Sequence, residues 1–262
     1  MRNRLPVLLL SVAVSVASAA PVHVLKLSPH RSDGAPSKTY RFRDGTVLTN
    51  TLFYQSKASG LSVGRSYVNG PLMPRETADY TDMFMVAHGS GSLVESSGKA
   101  HQLVAGDFVL LPRGLTFELR DARDYIHYFA SFDRQKGAGF EGPITLKLLH
   151  PGQFCRNDLA RSRGGGHHTY YEGHGGVIIS AYRYPDSVQD RGTARRSYSE
   201  LMFVVSGSGT VQESGQASTP LTSGAAIFIP KDTLVRLDAR NLCVLSVQFD
   251  RSEATTRASV SH

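Results

Sequence analysis

Tryptophan is missing from this 262-residue chain, cysteine occurs twice, and charged residues make up only 19%. Past the first twenty residues no apolar run approaches the ~18 residues of a membrane-spanning helix, so the remainder carries no integral membrane segment of that kind. The net charge is +7, yet no block of lysine and arginine and no basic–aromatic stripe accompanies it. A nucleic-acid partner is therefore not expected. The excess reads as a solvated basic surface, with weak attraction to anionic ligands or surfaces as the sharper option. No Ser-His-Asp order, nucleotide-binding glycine loop or paired-cysteine zinc motif occurs. Long amphipathic helices are absent too, apart from a single helical turn allowed within 152–166. The two cysteines leave two readings open. Cys155 and Cys243 can form one bridge, or Cys243, in the apolar stretch LCVLSVQF, can be a buried free thiol.

Glycine (25) and proline (12) are plentiful, which favours short strands joined by turns. The N-terminus reads as an export signal. Arg2 and Arg4 precede an apolar stretch over 7–17, and Ala17-Ser18-Ala19 supplies small residues for cleavage after Ala19. A secreted or periplasmic location is expected.

The mature chain repeats itself with a period of about 120 residues, the kind of internal similarity that decides a fold assignment. GLSVGRSYV, MFMVAHGSGSLVESSG, LVAGDFVLLPRG and YFASFD (60–133) recur in order as GVIISAYRY, LMFVVSGSGTVQESG, LTSGAAIFIPKD and LSVQFD (176–250). VLKLSP (24–29) corresponds loosely to TLKLLHP (145–151), and LFYQSKASG to TYYEGHGG. Apolar, β-branched and aromatic runs alternate with Gly-Ser-Gly, Ser-Ser-Gly and Ala-Gly-Asp, read as strand and turn. The fold class is all-β: two units, 20–142 and 143–262, each closing into a barrel that hides its strand edges.

These blocks resemble the cupins, and the two copies resemble the two-domain bicupins. The family's second motif is a glycine, five residues, Pro-x-Gly, two residues and a histidine. Gly106, Pro112 and Gly114 match it in the first copy; Gly224 and Pro230 match in the second, with Asp232 in place of the last glycine. Of the family's first motif, Gly70 and Gly89 remain in one copy, Glu200 and Gly207 in the other. The resemblance implies two tandem jelly-roll barrels.

It also implies where a metal would sit, and those positions have changed. The first copy carries Glu76, Ala78, Asp82 and Phe117; the second carries Ala194, Arg196, Glu200 and Val235. No histidine is among them, and Arg196 would repel a cation. No metal site is therefore expected, and no cofactor. Glu76 and Asp82 are candidates for weak hard-cation binding or acid/base work, or else lie at the surface. Arg196, Tyr198 and Glu200 share one strand parity and should face one barrel interior together, as a polar pocket or a structural ion pair. One of Tyr182 and Arg183 should join them. His167, His168 and His174, with Glu172, lie among glycines in what reads as a flexible connector. His88 and His101 read as surface turn residues, and His127 can face either way.

The leading expectation is an exported bicupin that binds, or binds and transforms, a small polar or acidic molecule without a histidine-held metal. Two alternatives stay open. One is a hydrolase resembling ureidoglycine aminohydrolase, whose family uses manganese. The other is a noncatalytic structural or sensing bicupin. A homodimer would fit the family.

Overall fold

The computed structural model describes residues 23–25, 35–56, 60–132, 144–156, 166–173, 176–184 and 194–249. The expected export signal and His174 lie outside them. Two eight-stranded antiparallel sheets form a jelly-roll β-barrel fold. The first contains β2 (Ser37–Arg41), β3 (Val47–Ser56), β4 (Leu61–Thr77), β5 (Thr81–Glu95), β6 (Ala100–Val104), β7 (Phe108–Leu111), β8 (Thr116–Phe132) and β9 (Lys147–Leu149). The second contains β1 (His23–Leu25), β10 (Gly166–Gly173), β11 (Val177–Tyr184), β12 (Ala194–Arg195), β13 (Ser199–Glu213), β14 (Thr219–Thr222), β15 (Ala226–Ile229) and β16 (Leu234–Phe249). One helical turn, α1 (Pro151–Arg156), lies between β9 and β10.

The strand orders run in parallel. One sheet reads β3-β4-β8-β5-β7-β9 and the other β10-β11-β16-β13-β15-β1. The last strand of each path comes from the other side of the chain. β1 pairs with β15, His23 opposite Phe228, while β9 pairs with β7, Leu149 opposite Phe108. The exchanged strands come from the VLKLSP and TLKLLHP segments.

The central strands are apolar on both faces, which explains runs such as MFMVA that do not alternate with polar residues. In β5, Met83 and Met85 join a core shared by both sheets, while Phe84 and Val86 turn into the first barrel. In β13, Leu201 and Phe203 join the shared core, while Met202 and Val204 turn into the second barrel. Aromatic pairs cross the junction, among them Phe108–Phe203 and Phe132–Phe249. Each large side chain buried there contributes about 1.5–3 kcal/mol.

Two local expectations are corrected. The Gly-Ser-Gly segments do not separate strands; they sit inside β5 and β13, where the register with β8 and β16 shifts. Gly89 (φ +73°) and Gly207 (φ +80°) mark these bulges. A Cβ at Gly89 would stand 2.2 Å from the Arg123 carbonyl oxygen, and one at Gly207 2.1 Å from that of Asn241. Only glycine lets the partner strand approach so closely. Second, His167 and His168 lie on β10, paired to Tyr182 and Ala181, rather than in a connector. Asp232 keeps the left-handed backbone of the glycine it replaces (φ +65°, against +87° at Gly114).

Cys155 and Cys243 form a disulfide, their Cα atoms 5.9 Å apart, which ties α1 to β16. Cys243 is buried as expected, and it is bonded.

Candidate functional site

The two barrel interiors differ in kind. Among the described residues, that of the second barrel brings a polar cluster together above an apolar floor. Alternation along β13 turns Glu200 inward with Met202 and Val204. Glu200 is 1% exposed and accepts a 2.5 Å hydrogen bond from the Ser246 hydroxyl on β16. Arg196 enters from the turn after β12. Its Nη1 lies 3.9 Å from Glu200 Oε2 and donates to the Tyr198 hydroxyl at 3.3 Å. The three residues grouped by parity thus meet in space. Tyr182 is the inward member of its pair and accepts from Gln248 Nε2 at 3.1 Å. Arg183 points away and donates to the Cys155 carbonyl.

The electrostatics of this cluster follow from burial around one carboxylate. Burial and then the charge of Glu200 push the Tyr198 phenol up to about 12 and the Tyr184 phenol higher still. Burial works against the Arg196 cation, but Glu200 together with Tyr198 and Tyr184 outweighs it and keeps the guanidinium charged. Arg196 Nε and Glu200 Oε2 make no hydrogen bond, so the pair is close without being fully satisfied.

The interior of the first barrel holds a cavity of about 410 Å³. Its walls alternate in register. Asp82 on β5 is opposite Ser131 on β8 and Phe84 is opposite Phe129, with His127 two residues further along the β8 wall. Asp82 is buried and accepts from the Ser131 hydroxyl at 3.1 Å. Across the cavity Ser66 on β4 donates to Asn50 Oδ1 on β3 at 2.7 Å. Leu52, Leu93, Leu111 and Phe117 supply apolar wall. Glu76 lines the opening; it is exposed, yet neighbouring atoms and the charge of Asp79 raise its carboxyl above the usual range. So Glu76 stands at the rim and Asp82 inside. Ala78, at a family ligand position, is simply core.

His127 is the residue that sequence parity left undecided. It faces the cavity, with ring centroids 4.7 Å from Phe84, 5.4 Å from Tyr125 and 6.0 Å from Phe129. Burial lowers its pKa to about 3, so the imidazole is neutral at pH 7. Its Nδ1 is buried without a partner. The signal was concealed because YIHYFASF is buried on both faces, so no polar alternation marks which side is which. His101, read as a surface turn residue, is instead buried on β6. Its Nε2 lies 2.8 Å from Glu95 Oε1, and Glu95 also accepts from Thr145 Oγ1 and the Leu146 amide. His88 is exposed, but it lies within β5.

A metal is what this fold family would lead one to test. Among the described residues no group of three or more histidine, cysteine or acidic side chains is placed to hold one. The second barrel puts a guanidinium beside its buried carboxylate, and the first offers two carboxylates at different depths. These donor sets do not fit a transition-metal centre.

No family model matches the chain, and no curated protein matches it by sequence. Solved structures do match in fold. A cupin 2 conserved barrel domain protein from Leptotrichia buccalis has a TM-score of 0.59 at 9% identity, over 78% of this chain and 88% of that one. A protein of unknown function from Pseudomonas syringae pv. tomato has 0.57 at 15%, over 76% and 85%. A variant of salicylate 1,2-dioxygenase from Pseudoaminobacter salicylatoxidans, in complex with gentisate, has 0.58 at 15%, over 93% and 84%. At these identities the likeness is one of fold: this chain has the cupin-type barrel.

Proposed function

We propose that this chain is an exported bicupin that binds a small polar molecule inside its first barrel, without a histidine-held metal. The cavity of about 410 Å³ carries the reading. Ligand sites are concave, mainly apolar and set with a few convergent polar groups. The cavity fits that description, with Asp82, Ser131, His127 and the Asn50–Ser66 pair as the polar groups. The second barrel has a supporting role. Its Arg196, Tyr198 and Glu200 engage one another, so an acidic ligand seeking Arg196 would have to displace Glu200.

A thermal-shift screen of small polar molecules on the purified chain tests the site. A hit whose stabilisation disappears in Leu52→Trp, which fills the cavity from a half-buried wall, supports it. A hit insensitive to Leu52→Trp and sensitive to Arg196→Met moves the site to the second barrel. Stoichiometric manganese, iron or zinc by elemental analysis overturns the metal-free part. Amino-terminal sequencing of secreted protein checks export: Ala20 as first residue is the expected result.

A further inference from the structure

We propose that His127 anchors the ligand of the first-barrel cavity, its Nε2–H donating a hydrogen bond to the carbonyl oxygen of an uncharged, ring-bearing compound. This deepens the proposed function and rests on the cavity being the ligand site. Other polar groups of the cavity are engaged within its walls: Ser66 donates to Asn50, and Ser131 to Asp82. His127 has aromatic neighbours instead, Phe84, Tyr125 and Phe129, and its Nδ1 is buried with no partner. A neutral imidazole carries one N–H. On Nδ1 it would be a buried donor with no acceptor, whereas an unshared lone pair is tolerated more often. The hydrogen therefore belongs on Nε2. The ring is only partly buried and lines the cavity, so with Nδ1 closed off its open part is the far edge, where Nε2 lies.

The surroundings suit the rest of such a molecule. Phe84 and Phe129 stand 4.7 Å and 6.0 Å from the imidazole, centroid to centroid, and Phe117, Leu93 and Leu111 extend the apolar wall. A flat ring packs well against aromatic faces at such distances. An apolar cavity of roughly 150 Å³ holds one benzene, so about 410 Å³ has room for two rings. Burial keeps the imidazole uncharged at pH 7, so its bond to a carbonyl joins two neutral partners and needs no counter-ion. A hydrocarbon of the same shape would cover Nε2–H without giving it an acceptor, and that loss is the source of selectivity.

Calorimetric titration of the full chain at pH 7 with three matched probes tests this: 1-indanone, 1-indanol and indane. The ketone should bind about tenfold tighter than indane, with the alcohol between them. His127→Phe should abolish the preference for the ketone and leave the affinity for indane within about twofold, which shows that the variant keeps its cavity. Nitrogen NMR of the parent chain needs no variant. The His127 ring, identified through its contacts with Phe84 and Tyr125, should be the Nε2–H tautomer, and 1-indanone should shift its Nε2 signal more than indane does. Equal affinities for ketone and indane, an alcohol that binds tighter than the ketone, a preference that survives His127→Phe, or an Nδ1–H tautomer would overturn the proposal. Methyl chemical shifts of Leu52, Leu93 and Leu111 separate the two levels. Indane binding that moves these methyls without any preference for the ketone overturns the His127 anchor alone. No movement with any probe overturns the cavity as the ligand site as well.

Discussion

His127 and Glu200 are the residues where burial has the largest consequences. His127 has a folded pKa of about 3, far below the ordinary value near 6.5. Between those values the unfolded chain binds the proton and the folded chain does not. Stability should therefore be fully present above about pH 6.5 and fall as the pH drops toward 3. Urea midpoints at pH 4.5 and 7 should differ less in His127→Phe than in the parent; an unchanged difference would mean another group sets it. Glu95 works at lower pH. Burial raises its pKa, but His101, Thr145 and the Leu146 amide together hold it below the usual value. Its contribution is lost only as the pH falls below the ordinary range near 4. Glu200→Ala leaves Arg196 without its partner, and the side chain of Arg196 is only 17% exposed. Loss of a buried partner costs about 3–5 kcal/mol, whereas the double change Arg196→Met with Glu200→Leu should lie within about 1 kcal/mol of the parent. Chemical denaturation of both variants reads the difference. Parity alone brought Arg196, Tyr198 and Glu200 together in the sequence, because a large polar side chain recurs there at every second position with a serine between. His127 had no such contrast around it, and the Glu95–His101 contact depends on a segment fifty residues downstream.

Among the elements, the long strands β4, β5, β8, β13 and β16 define the barrels. Their apolar runs were legible as strands; that they continue through Gly-Ser-Gly was not. The bend there is a property of two strands at once, the glycine in one and a carbonyl in the other. Gly89→Ala and Gly207→Ala should each cost more than about 3 kcal/mol, since both φ and space forbid the methyl. Gly106 and Gly224 also have positive φ, but a Cβ there meets nothing within 4 Å. Alanine at those turns should cost only the backbone strain, about 1–2 kcal/mol. Thermal melts of the four variants should fall into two classes. A single class would mean that close approach at the bulges is not what selects glycine.

At the scale of the whole molecule, two devices tie distant parts of the chain together. The disulfide closes a loop of 88 residues. On chain-entropy grounds, opening it in the double variant Cys155→Ala, Cys243→Ala should cost about 4–5 kcal/mol. Denaturation with and without reductant measures the same quantity. Sequence spacing could not decide this bond, because it depends on α1 folding back against β16. The exchanged strands are the second device. A fragment ending at 142 lacks β9, so the edge of β7, whose four residues are all buried, would lie bare beside the shared aromatic core. Such a fragment should aggregate, and adding residues 143–156 should reduce this by supplying the missing strand.

The exchange also orders events in time. A chain emerging from its N-terminus makes β1 long before β15, its partner about 200 residues later. The first sheet lacks an edge strand until residue 149 has appeared, and the second cannot be closed at β1 until residue 228 has. Contacts of such sequence separation fold slowly, because a large loop must close before they form. The first sheet can be complete once residue 149 has been made, whereas β1 waits without its partner until nearly the whole chain has been.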